Sequence, residues 1–138
     1  MSEESTTPDL VELVRRFDEA LNARDFDTLA SFYAPDSVAS FGSFGSHEDR
    51  AAIRRFYEEL TGAFADFENR FEEIRDLGGG VAFVVFTQRG HPPGSTGWVQ
   101  VRSGAALTFA DGLIALQTND VDIDEGRAVA ERLAKERR

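Results

Sequence analysis

Few side chains in this sequence can move a proton near neutral pH, and their spacing decides what chemistry is open to it. His47 and His91 are its two histidines. Histidine titrates near neutrality, so each is a candidate acid or base. His91 lies in the loop Gly90-His91-Pro92-Pro93-Gly94 at a strand end, where it could stand at the mouth of a cavity; an exposed loop histidine is the plainer account. His47 sits beside a helix start, where positive charge is disfavoured, which points to a structural role. With no cysteine there is no thiolate nucleophile, disulfide or zinc–thiolate site, and two histidines speak against a multi-histidine metal centre. No metal or cofactor is expected.

Gln117 and Asn119 share one face of the last strand by their alternation. If that face lines a cavity, their amides could hydrogen-bond a ligand carbonyl or hydroxyl; otherwise they bond each other, a turn or a buried water. Tyr33 and Tyr57 carry the two phenolic hydroxyls. Tyr57 falls on the apolar stripe of a helix, with its hydroxyl expected near the interior. Arg89 and Arg102, in facing strands, could hold an anion or pair with neighbouring acids. Trp98 reads as outward-facing by its phase. Gly78-Gly79-Gly80 joins strand to strand without a following Gly-Lys-Ser/Thr, so it is a turn and no phosphate loop.

The elements that must position these groups follow from periodicity. Thr7 can cap a first helix, Pro8 suits its first position, and Leu10, Val14, Phe17 and Leu21 form its stripe, ending near Ala23. Asp25 caps a short second helix carrying Phe26, Leu29, Ala30 and Tyr33, stopped at Pro35. Ser37 to Phe41 reads as a strand, broken by Gly42 to Gly45. Ser46 with Asp49 opens a third helix bearing Ile53, Phe56, Tyr57, Leu60 and Phe64. Four strands follow: Phe67 to Leu77 with ambiguous phase, Val81 to Arg89, Trp98 to Phe109 with a bulge at Gly104, and Leu113 to Asn119 after an Asp111-Gly112 hairpin. Asp122 or Asp124 caps a final helix. Helices followed by hairpin-linked strands define an α+β fold, whose sheet can curl around helices and leave a concave interior.

The segments Val14-Arg15-Arg16-Phe17, Ala20 to Asp27 and Phe32-Tyr33-Ala34-Pro35-Asp36 resemble the opening of the SnoaL-like group of the nuclear-transport-factor-2-like superfamily. Ile53-Arg54-Arg55-Phe56-Tyr57 is similar to its third helix, and Phe109 to Ile114 to its last hairpin. The resemblance spans about residues 9 to 130. It implies a cone: a curved, antiparallel to mixed sheet wrapped around three N-terminal helices, plus a C-terminal helix. The superfamily includes ketosteroid isomerases, polyketide cyclases, limonene epoxide hydrolases and members that only bind or dimerise, so the fold leaves activity open. Isomerase chemistry needs a carboxylate base, and a tyrosine with a neutral acid at the oxyanion. On matching stretches the tyrosine falls on Phe17, the base on Phe41 and the acid on Ala105, none of which transfers a proton. An aspartate common in the last strand of the group falls on Asn119, whose amide is no general base.

Composition bounds the rest. A chain of 138 residues implies one domain, read as 9–138 after a flexible segment 1–8. A net charge of −10 argues against nucleic acid or an anionic membrane as partner. The N-terminus lacks the basic, apolar signature of a secretory signal, and the chain reads as cytoplasmic. Twelve phenylalanines, against one tryptophan and two tyrosines, suggest an aromatic interior. The expectation is a binder of a small, largely apolar molecule, with Phe17, Phe41, Tyr57, Gln117 and Asn119 against it in a cavity of about 300 Å3 or more. Metal-free isomerase, cyclase or hydrolase activity stays open. The alternative is a non-catalytic dimerisation or accessory module whose cone is filled by its own rings. On either reading a homodimer is expected, through an apolar outer sheet face.

Overall fold

The computed structural model describes residues 9–137. Thr7, Pro8 and the flexible segment expected at 1–8 lie outside the described residues. The first helix, α1 (Leu10–Asn22), is capped by Asp9, whose carboxylate accepts the Glu12 N–H at 3.2 Å. Asp25 caps α2 (Phe26–Ser31) in the same way, through the Thr28 N–H. That helix is shorter than expected: Tyr33 is already the first residue of β1 (Tyr33–Ser40). Pro35 is tolerated inside β1 because the pairing of β1 with its neighbour skips from Tyr33 to Val38, so the missing N–H breaks no ladder bond.

A single-turn 3-10 segment, Gly42–Phe44, leads to β2 (Ser46–Glu48). Ser46 therefore belongs to a strand, and the cap of α3 (Arg50–Gly62) is Asp49 alone, accepting the Ala52 N–H at 2.9 Å. The long strands follow: β3 (Glu68–Gly78), β4 (Val81–Gly90), β5 (Val99–Ala110) and β6 (Leu113–Asp120). Asp122 accepts the Glu125 N–H and starts α4 (Ile123–Arg137).

The six strands form one curved, unclosed sheet in the order β2-β1-β6-β5-β4-β3. The β1–β6 pair is parallel and the other pairs are antiparallel. Two registers correct the expected phases. In β3 the pairing shifts between Phe71 and Glu73, so Asn69, Phe71 and Ile74 face one side. In β5 the pairing with β4 runs unbroken through Gly104, and the irregularity toward β6 lies at Thr108/Phe109. Gly104 makes no bulge; it leaves room for Phe83, whose ring would sit 3.1 Å from any Cβ there.

The two faces of the sheet carry separate cores. The concave face packs Ala82, Val84, Phe86, Ala105 and Leu107 against α1, α2 and α3. The convex face packs Val81, Phe83, Val85 and Ala106 against Ala130 and Ala134 of α4. That convex face, expected to be apolar, is so chiefly where α4 covers it. Its open part carries the ion pairs Arg89–Glu68 and Arg102–Glu72. Among the described residues, no helix is long and apolar enough to cross a membrane.

Candidate functional site

The concave core is organised around Phe17. Its ring meets Phe32, Tyr33 and Tyr57 edge-on at 6.1, 6.0 and 5.9 Å, and Phe71 at 6.3 Å. Flat rings meeting edge to face leave gaps at their corners. Here the gap is an inner chamber of about 30 Å3, walled by Leu13, Phe17, Phe71, Phe86, Leu107 and Asn119 among others. An outer chamber of about 80 Å3 adjoins it, walled by Phe41, Phe44, Phe56, Val101 and Val121. Tyr57, Phe86, Gln88 and Asn119 line both and form the partition. Both chambers fall well below the expected 300 Å3, because the phenylalanines fill much of the cone themselves. At about 10–15 Å3 per water, the inner one holds about two water-sized groups and the pair about eight.

One polar cluster interrupts the grease. Tyr33 donates its hydroxyl hydrogen to Gln117 Oε1 at 2.6 Å. With that hydrogen committed, Tyr57 is the donor in the 3.1 Å contact between the two hydroxyls. Gln117 Nε2 donates to Asn119 Oδ1 at 2.9 Å and, more loosely, to the Tyr57 oxygen at 3.4 Å. The Asn119 amide nitrogen, at the end of this chain, meets no acceptor among the described residues. Burial pushes both phenols above their ordinary value, so they stay neutral and act only by hydrogen bonding. Arg50, the first residue of α3, fixes Tyr33 by donating from Nε and Nη2 to its carbonyl at 2.9 and 2.7 Å.

The structure brings Phe17, Tyr57, Gln117, Asn119 and Ala105 to the inner chamber and Phe41 to the outer one. Phe41 stacks on Phe56 at 4.0 Å and closes the outer wall. Gln117 and Asn119 do bond each other, which uses one end of each amide and leaves the Asn119 nitrogen spare. Among the described residues, Tyr57 is the only titratable side chain lining the inner chamber. Neither histidine lines either chamber. His91 stacks on Trp98 at 3.8 Å, with Nδ1 3.3 Å from Asp66, and Arg89 lies 4.2 Å from the indole centre. His47 packs on Phe56 at 4.9 Å.

Sequence reasoning passed over Asn69, Phe71, Phe86 and Gln88. Gln88 was open to discovery, since it continues the inward alternation of Val84 and Phe86. Asn69 and Phe71 were hidden by the register shift in β3. Asn69 is held from outside the cone: its Nδ2 donates to Asp18 at 2.8 Å, and Asn22 grips its backbone at both ends. Burial raises the Asp18 carboxyl, and the donors Asn69 and Asn22 oppose that rise. No group of three or more His, Asp or Glu among the described residues could hold a metal ion.

This fold is shared. Residues 14–117 match the model of the SnoaL-like domain, and the chain belongs to that family. Its fold is also that of solved structures. A proposed polyketide cyclase from Sinorhizobium meliloti is 25% identical, with 86% of this chain and 100% of that one covered at a TM-score of 0.66. A protein of ketosteroid isomerase-like fold from Catenulispora acidiphila, in complex with trimethylamine, is 16% identical over 83% and 85% of the chains, with a TM-score of 0.71. Bal32a, from a soil-derived mobile gene cassette, is 18% identical over 83% and 90%, with a TM-score of 0.74. No curated protein matches the sequence.

Proposed function

We propose that this SnoaL-like protein binds a small, neutral, largely apolar molecule of up to about eight heavy atoms across its two chambers. The carrying observation is the spare amide nitrogen of Asn119, presented on the partition between two ring-lined spaces. A ligand oxygen there would accept from Asn119, while Phe17, Phe71 and Phe86 cover the apolar body. Among the described residues, the inner chamber offers no carboxylate, imidazole or amine for proton transfer and the outer one a single carboxylate, Asp120, so the reading is binding without acid–base catalysis by groups that line the inner chamber. The trimethylamine complex of the Catenulispora relative supports a ligand of this small size in such a fold.

Xenon under pressure tests the reading, because it enters dry apolar cavities. Methyl resonances of Leu13, Val84, Leu107 and Ile114 are expected to shift. No shift at any of them would overturn binding in favour of a self-filled cone. That second reading is favoured by the small chamber volumes, and it requires the chain to act through its surface as a homodimer. Light scattering that returns the mass of a single chain at micromolar concentration would remove it.

A further inference from the structure

Three side-chain amides bring polar atoms to the cone wall that the fold itself leaves without partners. Asn69 is 3% exposed and lines the inner chamber. Its Nδ2 is used by Asp18, but its Oδ1 accepts from no group among the described residues. Gln88 stands directly opposite Asn69 in the β3–β4 ladder, at a separation that lets such cross-strand side chains meet. It lines both chambers, and neither end of its amide finds a partner among the described residues. Asn119 adds the spare nitrogen already described. The walls therefore offer an acceptor at Asn69, a donor at Asn119 and both at Gln88.

These open ends recur on three strands that face one space, and none of them is among the fully buried polar atoms without a partner, which are Ser37 Oγ and Thr108 Oγ1. A ligand in the chambers can therefore reach them. Among the described residues, no charged side chain lines the inner chamber; Asp120 stands on the wall of the outer one. An ion that enters the inner chamber would thus lose its hydration and find no counter-ion there. A ligand with acceptors alone would leave Asn69 Oδ1 unsatisfied. The hydrogen-bond complement of such a wall is another amide.

We infer that the cone selects a small carboxamide- or lactam-like molecule, its carbonyl received by Asn119 and Gln88 and its N–H by Asn69. This rests on the binding reading above and names the class of ligand. The test compares four probes of similar bulk by NMR titration: isobutyramide, 3-methyl-2-butanone, isobutyrate and trimethylamine. Isobutyramide is expected to bind at least about five-fold more tightly than the other three, the ratio of one net hydrogen bond. It should also shift the side-chain amide resonances of Asn69, Gln88 and Asn119. The variant Gln88→Met keeps the bulk and gives up no bond within the protein. It is expected to weaken isobutyramide about five-fold. Equal or tighter binding of the ketone, the carboxylate or the amine overturns the inference, as does a Gln88→Met variant with undiminished affinity. If isobutyramide is silent while xenon enters, the ligand class is wrong and the binding reading stands. If both are silent, both fall.

Discussion

Strand β4 serves two cores at once. Val81, Phe83 and Val85 point to the convex side, and Ala82, Val84 and Phe86 to the concave side. On the convex side the partners are small. Ala130 and Ala134 let α4 lie close, and Gly104 flanks the Phe83 ring so tightly that a Cβ there would sit 3.1 Å from it, while Gly126 packs near it. Arg127 covers the ring, 4.7 Å from its centre, and is itself tied to Glu73. Neither chamber reaches this seam. On the concave side large rings meet edge to face, leave space and leave an open end on each of three amides. The same sheet is therefore closed for stability on one face and left open on the other. Interiors close-pack where nothing else is asked of them, so the looser face is the one to examine for function.

The widest gap between the faces should appear on truncating a ring. Phe83→Ala is expected to cost about 3–5 kcal/mol, since the seam has no slack with which to collapse. Phe71→Ala, at a half-buried wall of the inner chamber, should cost clearly less while strengthening the xenon response. Urea unfolding of both variants decides this, and equal losses would erase the distinction.

A smaller effect tests whether the polar cluster is structural in its inner half. Tyr33→Phe strands Gln117 Oε1 and removes the acceptor of the Tyr57 hydroxyl. It should cost about 1–3 kcal/mol in the same unfolding assay. A variant as stable as the parent would mean that the cluster does not brace the cone.

The smallest expected effect lies behind Asn69. Asp18 has a folded pKa above its ordinary value, chiefly through burial. Its contribution to stability is then full below the unfolded pKa and is lost as pH rises through the raised folded one. Asp18→Asn holds the neutral state at every pH. Its stability relative to the parent should therefore improve on raising the pH from acid toward neutrality, read from urea midpoints across that range. A difference that moves the other way would show the carboxylate to be favoured in the fold.

Much of the architecture was legible in the residues. The Asp111-Gly112 hairpin, the alternation in β4 and the stripe Leu10-Val14-Phe17-Leu21 are local patterns, and local patterns set these elements. The errors fell where tertiary contacts decide. Tyr33 has the spacing of a helix residue, yet its carbonyl is claimed by Arg50 and it opens a strand. The alternation in β3 could not reveal a register shift that depends on β4. Gly104 has the look of a bulge until the Phe83 ring is placed above it. At the site, Phe17, Tyr57, Gln117 and Asn119 were reached by spacing and resemblance. The free ends of Asn69 and Gln88 were not, because a missing partner is a property of the whole cone.

The parallel pairing of β1 with β6 joins a strand that begins at residue 33 to one that ends at residue 120. A ribosome delivers the chain in order, so α1, α2 and α3 are synthesised before any of the strands β3 to β6 that their apolar stripes cover. Nor can β1 find its parallel neighbour until the last strand has emerged. Contacts this distant in sequence close late and slow the search for the native state. The rings that line the cone therefore wait longest for the strands that cover them, and a net charge of −10 opposes association between copies meanwhile.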